Sequence, residues 1–187
     1  MTMSTPVYVH TSYYGNTRQF PADNSIIVAC SRSIPTFFSG IPFKEGQAKI
    51  IHWKEIAPTY QILNAYGSLG SQSFLSKEMR KQSVVTYIND YVNYVLIPYE
   101  RMEKDFWILQ NAAAAMGAQH IFICCYEQKY HFCHRRVWAE YMKQRYGYII
   151  DEYLETRERM GECLEEWVSQ TIELEVRKIL KRRKMLS

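Results

Sequence analysis

Residues 119–125 read Gln-His-Ile-Phe-Ile-Cys-Cys, an apolar run that is typical of a strand buried on both faces of a sheet. Helical patterns lie on either side of this strand. Residues 99–117 place apolar side chains three and four positions apart and end at a glycine, and residues 133–146 repeat the spacing after a polar loop. A helix, a strand and a helix in this order predict an α/β domain with a largely parallel sheet flanked by helices.

The first half of the chain contains three further candidate strands. Residues 7–14 are rich in Val, Tyr and Thr, residues 25–31 form a second continuous apolar run, and residues 49–53 form a shorter one. Helical spacing takes over from Ser76. We therefore assign residues 1–147 to the α/β domain.

The carboxyl-terminal residues 148–187 are predicted to form a charged helical extension, with helix expected over residues 151–184. Apolar residues step by four along this helix: Leu164, Val168, Ile172, Val176 and Leu180. Such a face packs on the body of the protein or on a second copy of the chain, which would give a homo-oligomer. Both are favoured over a helix lying on a membrane surface.

The extension ends in a basic tail, with six Lys and Arg residues between positions 177 and 184. Removing six positive charges from the formal net charge of +4 leaves −2 for the rest of the chain. A basic cluster of this kind binds phosphate backbones or acidic surfaces, or it complements the dipole of its own helix. The sequence leaves both interpretations open.

Composition excludes several classes of protein. The 187 residues are 47% hydrophobic and 22% charged, which excludes collagen-like, rod-like coiled-coil and fully disordered chains. No apolar run approaches the roughly 20 residues of a membrane-spanning helix, and residues 1–6 do not form a secretory signal. We therefore expect a cytoplasmic protein without a membrane partner. The five cysteines are odd in number and two are adjacent, so we predict reduced thiols.

A cluster of polar and ionisable residues follows the strand at residues 119–125. Glu127 leaves that strand at its carboxyl end, on the edge of the sheet where α/β proteins bind ligands. Cys133, His134 and Arg135 open the next helix, whose free amides and dipole stabilise an anion or a thiolate. We expect these four side chains to meet in one small site.

Three interpretations of the cluster follow from these residue types. In the first, Arg135 binds an anion and Glu127 or His134 acts as an acid or base. In the second, Cys133 is a nucleophile, but its pairing with His134 is disfavoured because adjacent helical residues point about 100° apart. In the third, the cluster is structural, and Arg135 and Glu127 form an ion pair.

A site for iron or zinc is a fourth interpretation. Its candidate ligands are Cys124 or Cys125 together with His131, Cys133 and His134. The chain has no Cys-x-x-Cys pair, and adjacent strand cysteines face opposite sides of a sheet, so three or four ligands are difficult to assemble. We therefore predict no metal ligand, and the sequence leaves the cofactor unknown.

The motif consists of Cys-Tyr-Glu at 125–127, Phe-Cys-His-Arg at 132–135 and Ala-Glu at 139–140. It resembles the signature of the domain of unknown function 488 family. Weaker similarities to that family lie at residues 31–35, 57–59 and 87–96, and the whole resemblance spans roughly residues 8–146.

The resemblance implies a Rossmann-like α/β domain with a shared polar site, and it adds Arg32 to the candidate residues. Two arginines, a carboxylate and a histidine suit a phosphorylated ligand such as a nucleotide or a nucleic-acid end. We therefore predict an enzyme in which Arg32 and Arg135 bind the ligand. Its catalytic residues would be Glu127, Cys133 and His134. The alternative is a non-catalytic module that binds a nucleotide or nucleic acid.

Overall fold

A five-stranded sheet forms the centre of the structure, a computed structural model that describes residues 6–21, 23–38, 50–66, 75–127, 132–153 and 166–186. The strands are β1 Tyr8–Tyr13, β2 Ser25–Ala29, β3 Ile50–His52, β4 His120–Cys125 and β5 Asp151–Glu152. Their order across the sheet is β3-β2-β4-β1-β5, and every neighbouring pair is parallel. The predicted Rossmann-like α/β architecture is confirmed, as are the three early strands.

Five α-helices flank the sheet within the described residues. They are α1 Tyr60–Tyr66, α2 Lys77–Tyr91, α3 Met102–Ala115, α4 His134–Tyr146 and α5 Glu166–Arg182. Ser76 caps α2, because its side chain accepts a hydrogen bond from the amide of Met79. A π-helical turn, Val92–Leu96, then extends α2 towards Pro98. In the part of the chain that the structure describes, no helix has both the length and the apolar character that a membrane crossing requires.

Strand β4 lies between β2 and β1, and all of its residues after His120 are buried. Ile121 and Ile123 face the larger core, to which the helices contribute, whereas Phe122 and Cys124 face a smaller core on the opposite side. Burial on both faces explains why this strand reads as an uninterrupted apolar run. Because successive side chains of a strand point to opposite faces, Cys125 faces the larger core and Cys124 the smaller one, as predicted.

Residues 151 and 152 differ from the prediction, which placed them in the last helix. They form β5 and pair with β1, so that Asp151 lies opposite His10 and Glu152 lies opposite Thr11. The edge of β1 that β4 leaves free supplies the backbone hydrogen-bonding groups for this short strand. Helical spacing along the sequence gives no sign of that tertiary pairing.

Helix α5 packs against α2 and α4 on the body of the protein. Four of the five predicted apolar residues are buried there: Val168, Ile172, Val176 and Leu180. The fifth, Leu164, lies outside the described residues. The predicted packing on the body is confirmed, and the buried face of α5 belongs to the same hydrophobic core as the helix-covered face of the sheet.

The chain leaves β1 and β4 towards opposite faces of the sheet. After β1, Tyr14 and Phe20 pack into the smaller core, whereas after β4, Val137 and Trp138 of α4 pack into the larger core. Because β1 and β4 are neighbours, their carboxyl ends flank a topological switch point, where open α/β sheets bind ligands. The residues that follow β4 therefore lie where a functional site is expected.

Candidate functional site

Four side chains with metal-binding atoms converge at the carboxyl end of β4. They belong to Cys125, Glu127, Cys133 and His134, and one ligand atom from each lies within 4.8 Å of the other three. Cys125 ends β4, Glu127 lies two residues later, and the other two begin α4. Of the four side chains predicted to meet, Glu127, Cys133 and His134 do so, and the fourth member of the cluster is Cys125 rather than Arg135.

The distances within this cluster are short. Oε2 of Glu127 lies 3.0 Å from Sγ of Cys125 and 3.1 Å from Sγ of Cys133, where a thiol donates a hydrogen bond to a carboxylate. Nδ1 of His134 lies 3.8 Å from the Cys125 sulfur and 3.7 Å from the Cys133 sulfur. The carboxylate and the imidazole therefore each approach both sulfur atoms.

A backbone carbonyl orients the imidazole of His134. Its Nε2 lies 2.9 Å from the carbonyl oxygen of Cys30, just beyond the end of β2, so Nε2–H donates to that oxygen. With Nε2 engaged in this way, Nδ1 faces the two sulfur atoms. The ring of Tyr91 packs edge-on against the imidazole, with ring centroids 5.6 Å apart, and helps to fix its plane. Metal-binding histidines are commonly oriented by such a hydrogen bond from the second nitrogen.

Cys133 and His134 approach each other because Cys133 is not helical. Cys133 is the N-cap of α4 and has extended backbone angles, with φ −149° and ψ 145°. The 100° separation between adjacent residues applies only within a helix, so it does not govern this pair. The argument against a Cys133–His134 contact is therefore wrong.

Burial and charge shift the ionisation of the cluster. Burial raises the pKa of Glu127 to about 7, and negative charge on Cys133 adds to the rise. Burial alone would raise the pKa of Cys133, but a hydrogen bond from Cys125 and the charge of His134 hold this pKa well below its usual value. Burial would lower the pKa of His134, yet negative charge on Cys133 raises it well above its usual value. Negative charge on a Cys133 thiolate, 3.1 Å from Oε2 of Glu127, therefore favours the protonated form of that carboxyl group.

Arg135 lies beside the cluster but is directed elsewhere. Its fully buried guanidinium forms an ion pair with Glu152 of β5, with 2.8 Å between Nη2 and Oε1. Its Nη1 donates a 2.7 Å hydrogen bond to the main-chain carbonyl of Glu127. The alternative interpretation in which Arg135 forms an ion pair with the Glu127 carboxylate is therefore wrong. Arg135 instead holds the backbone of the turn that carries this carboxylate.

Arg32 also has other partners. Its Nε donates to the carbonyl of Pro58 at 2.5 Å, and its Nη2 donates to the carbonyl of Ala57 at 3.1 Å. The guanidinium lies over the ring of Tyr60, 5.7 Å from its centroid. These described contacts tie the loop after β2 to the start of α1, and none of them is with the four-residue cluster.

The fourth metal-binding side chain is the carboxylate of Glu127, whereas the ligands considered from the sequence are cysteines and histidines. Cys124 faces the smaller core, and His131 lies outside the described residues. Glu127 supplies the missing donor, so the argument that ligands are too few is wrong. The pattern Cys-x-Glu contains the signal, because residues two apart on an extended chain lie on the same side.

No protein-family model, curated protein or solved structure matches the chain. The resemblance to the domain of unknown function 488 family therefore stays a prediction. The geometry of the cluster formed by Cys125, Glu127, Cys133 and His134 is the feature that points to a function.

Proposed function

We propose that this chain is a zinc-binding protein and that Cys125, Glu127, Cys133 and His134 hold one Zn²⁺ ion. The observation that carries the proposal is the convergence of their four ligand atoms within 4.8 Å. Thiolates, imidazoles and carboxylates are the side chains that bind zinc in proteins, and four such ligands in a tetrahedron are the commonest arrangement.

Four distances between the ligand atoms, which all lie within 4.8 Å of one another, compare well with those of a zinc site. Zinc bonds of about 2.3 Å to sulfur and about 2.0–2.2 Å to nitrogen and oxygen separate the ligands of a tetrahedron by about 3.4–3.8 Å. The two sulfur–nitrogen distances, 3.7 and 3.8 Å, already lie in this range. The sulfur–oxygen distances, 3.0 and 3.1 Å, would lengthen by about 0.5 Å when a metal ion replaces the hydrogen-bonding protons.

Burial favours a metal ion over a nucleophilic cysteine. Cys125 and Cys133 are each 2% exposed and His134 is 5% exposed. Reactive cysteines are partly exposed so that a substrate reaches the sulfur. A buried cluster that contains a thiolate is costly unless positive charge compensates it, and a divalent cation supplies that charge.

The choice of zinc over other metals follows from the mixture of ligands. Two sulfurs select against magnesium and calcium, which take oxygen ligands, and a tetrahedral site suits zinc. Iron also binds thiolate and imidazole ligands, so metal analysis must distinguish these two metals.

Elemental analysis of the full chain, purified without added metal, tests the proposal. We expect about one zinc per chain, as one tetrahedral site requires. The Cys133→Ser variant should contain only background zinc, whereas Cys124→Ser, which changes the adjacent thiol on the opposite face of β4, should match the unaltered protein. Iron in place of zinc would overturn the choice of metal. A chain that takes up neither metal on titration, or a Cys133→Ser variant with full zinc content, would overturn the site.

The predicted enzyme for a phosphorylated ligand, and the non-catalytic nucleotide or nucleic-acid module, have less support from the same contacts. The guanidinium of Arg135 is paired with Glu152, and that of Arg32 is bound to backbone carbonyls. Neither guanidinium is directed at the cluster formed by Cys125, Glu127, Cys133 and His134. Nucleotide or nucleic-acid binding, like a cytoplasmic location, stays a prediction.

The predicted roles of α5 and its basic tail also stay predictions. A homo-oligomer through α5 would have to use exposed residues such as Leu174, because the apolar face packs on α2 and α4. Polyanion binding by the tail is best tested by changing the exposed Lys181 and Lys184 to Gln. Deletion of residues 177–184 would also remove the buried Ile179 and Leu180.

A further inference from the structure

The four ligands of the proposed zinc site are held with unequal firmness. Cys125 ends a central strand, and Cys133 and His134 lie where α4 begins. All three are buried, and His134 is further fixed by the Cys30 carbonyl. Glu127 lies outside regular secondary structure after β4 and is partly exposed. Arg135 holds its main-chain carbonyl, so the freedom that remains to Glu127 is that of its side chain.

Metal binding would weaken the attachment of Glu127 still further. Within the described part of the chain, the hydrogen bonds of its side chain are those with the sulfurs of Cys125 and Cys133. Cysteine binds a metal as the thiolate, so both bonds disappear when the ion enters. His134 keeps its bond to the Cys30 carbonyl because that bond uses the other ring nitrogen. The metal alone would then hold the carboxylate.

Glu127 also lies at the edge of the sheet where open α/β folds usually bind ligands. It follows β4 at the switch point between the ends of β1 and β4, the usual ligand site of open α/β sheets. Its neighbour Tyr126 is 46% exposed, and the Tyr126 hydroxyl lies 3.2 Å from the hydroxyl of Ser33, which is exposed beyond the end of β2. The hydroxyl groups of Tyr126 and Ser33 therefore lie at this edge, next to Glu127.

We infer that Glu127 is an exchangeable ligand, so that a small molecule with an anionic oxygen binds the zinc ion in its place. This inference rests on the proposed zinc site. Three firmly held protein ligands and one exchangeable position characterise zinc sites that bind or activate small molecules, whereas four fixed ligands characterise structural sites. An anionic oxygen preserves the charge and donor type of the carboxylate that it displaces. Arg32 binds the Pro58 carbonyl and Arg135 binds Glu152, so the described contacts do not direct either arginine at a phosphate. We therefore name the ligand by its anionic oxygen and not by a phosphate group.

The test uses the full chain loaded with Co²⁺, whose visible spectrum reports the ligands around the ion, and acetohydroxamate as the probe. We expect a saturable spectral change while cobalt remains bound to the protein after gel filtration. The Glu127→Ala variant should still bind Co²⁺ and should bind acetohydroxamate about tenfold more tightly, because no carboxylate competes for the position. The Cys124→Ser variant should behave like the unaltered chain in both measurements.

Failure of this inference is distinguishable from failure of the zinc site. A cobalt spectrum that acetohydroxamate leaves unchanged, or cobalt extracted into solution by the probe, would show a closed site and overturn the exchangeable ligand. A Glu127→Ala variant that loses Co²⁺ as completely as Cys133→Ser would do the same. If the unaltered chain binds neither Co²⁺ nor Zn²⁺, the zinc site itself is wrong.

Discussion

The Nδ1 atom of His134 lies 3.7 Å from the sulfur of Cys133, although the two residues are consecutive in the chain. The extended backbone of Cys133 at the N-cap of α4 makes this contact geometrically accessible. A single helix start thereby supplies two of the four proposed zinc ligands. The other two come from the end of β4 and the turn after it, so one ion would join the strand to the helix that follows it.

Removal of zinc should lower the melting temperature of the protein. A ligand that binds only the folded chain stabilises it by about 4 kcal/mol when the free ligand is about 1,000-fold above its dissociation constant, which corresponds to roughly 8–16 °C for a chain of this size. We expect a downward shift of this order when a chelator is added to zinc-loaded protein, measured by calorimetry. The Cys133→Ser variant, which lacks one ligand, should show no shift with chelator. Equal shifts in both proteins would contradict the site.

Loss of the Glu152 carboxylate should destabilise the fold strongly. Its ion pair with Arg135 is buried on both sides, and removing one partner of such a pair costs about 3–5 kcal/mol because the remaining charge is uncompensated. We expect a loss of this order for Glu152→Gln in denaturant-induced unfolding. Asp151→Asn, at the exposed neighbouring position of β5, should change the stability by less than about 0.5 kcal/mol. A small effect at Glu152 would show that the guanidinium is compensated in another way.

The histidine pair on β1 and β4 should make the protein less stable in mild acid. Nε2 of His10 lies 3.3 Å from Nδ1 of His120. Burial lowers both pKa values below 6.5, and His120 lowers the pKa of His10 further, while Asp151 opposes that shift. The unfolded chain therefore binds more protons than the folded chain as the pH falls through 6.5, so the free energy of unfolding decreases there.

Urea unfolding from about pH 7.5 to about pH 5.5 measures this effect, since unshifted histidines titrate within that range. The unaltered protein should lose more stability across the range than a variant that carries both His10→Gln and His120→Gln. Parallel pH profiles for the two proteins would exclude a contribution from the pair.

Helix α5 should be an integral part of the fold. Leu180 is fully buried, whereas Leu174 on the same helix is 50% exposed. Truncation of a buried leucine to alanine costs about 2–5 kcal/mol, so Leu180→Ala should lower the free energy of unfolding by that amount. Leu174→Ala serves as the matched control and should change it by less than about 0.5 kcal/mol. Similar values for the two variants would mean that α5 detaches from the body without cost.

Local patterns in the sequence suffice to predict most of the fold. The apolar runs at β2 and β4 stand out because both strands are buried on both faces, and the spacing of apolar residues along α5 reflects its packing against the body. The starts of α2 and α4 follow from local chemistry as well. Strand β5 does not, because its two residues acquire their conformation from the free edge of β1.

The sequence predicts the members of the site that are close together in the chain, but not the partner that tertiary strand pairing supplies to Arg135. Glu127, Cys133 and His134 are close in sequence, and their ligand atoms meet where β4 ends and α4 begins. Arg135 is adjacent to them in the chain, yet its carboxylate partner is Glu152, which a tertiary strand pairing places within reach. This ion pair forms only when β5 has joined the sheet. Proximity in the sequence alone predicts Glu127, the nearer carboxylate, as the partner of Arg135.

Among its contacts, the Arg135 guanidinium binds two separate parts of the structure and so links them mechanically. It binds Glu152 on edge strand β5, and it also binds the Glu127 carbonyl in the turn that carries the carboxylate proposed to be exchangeable. A force or a binding event that displaced β5 from the sheet would therefore also release this turn. Movement of the edge strand β5 would then alter the position of a ligand of the proposed ion, because Arg135 contacts both.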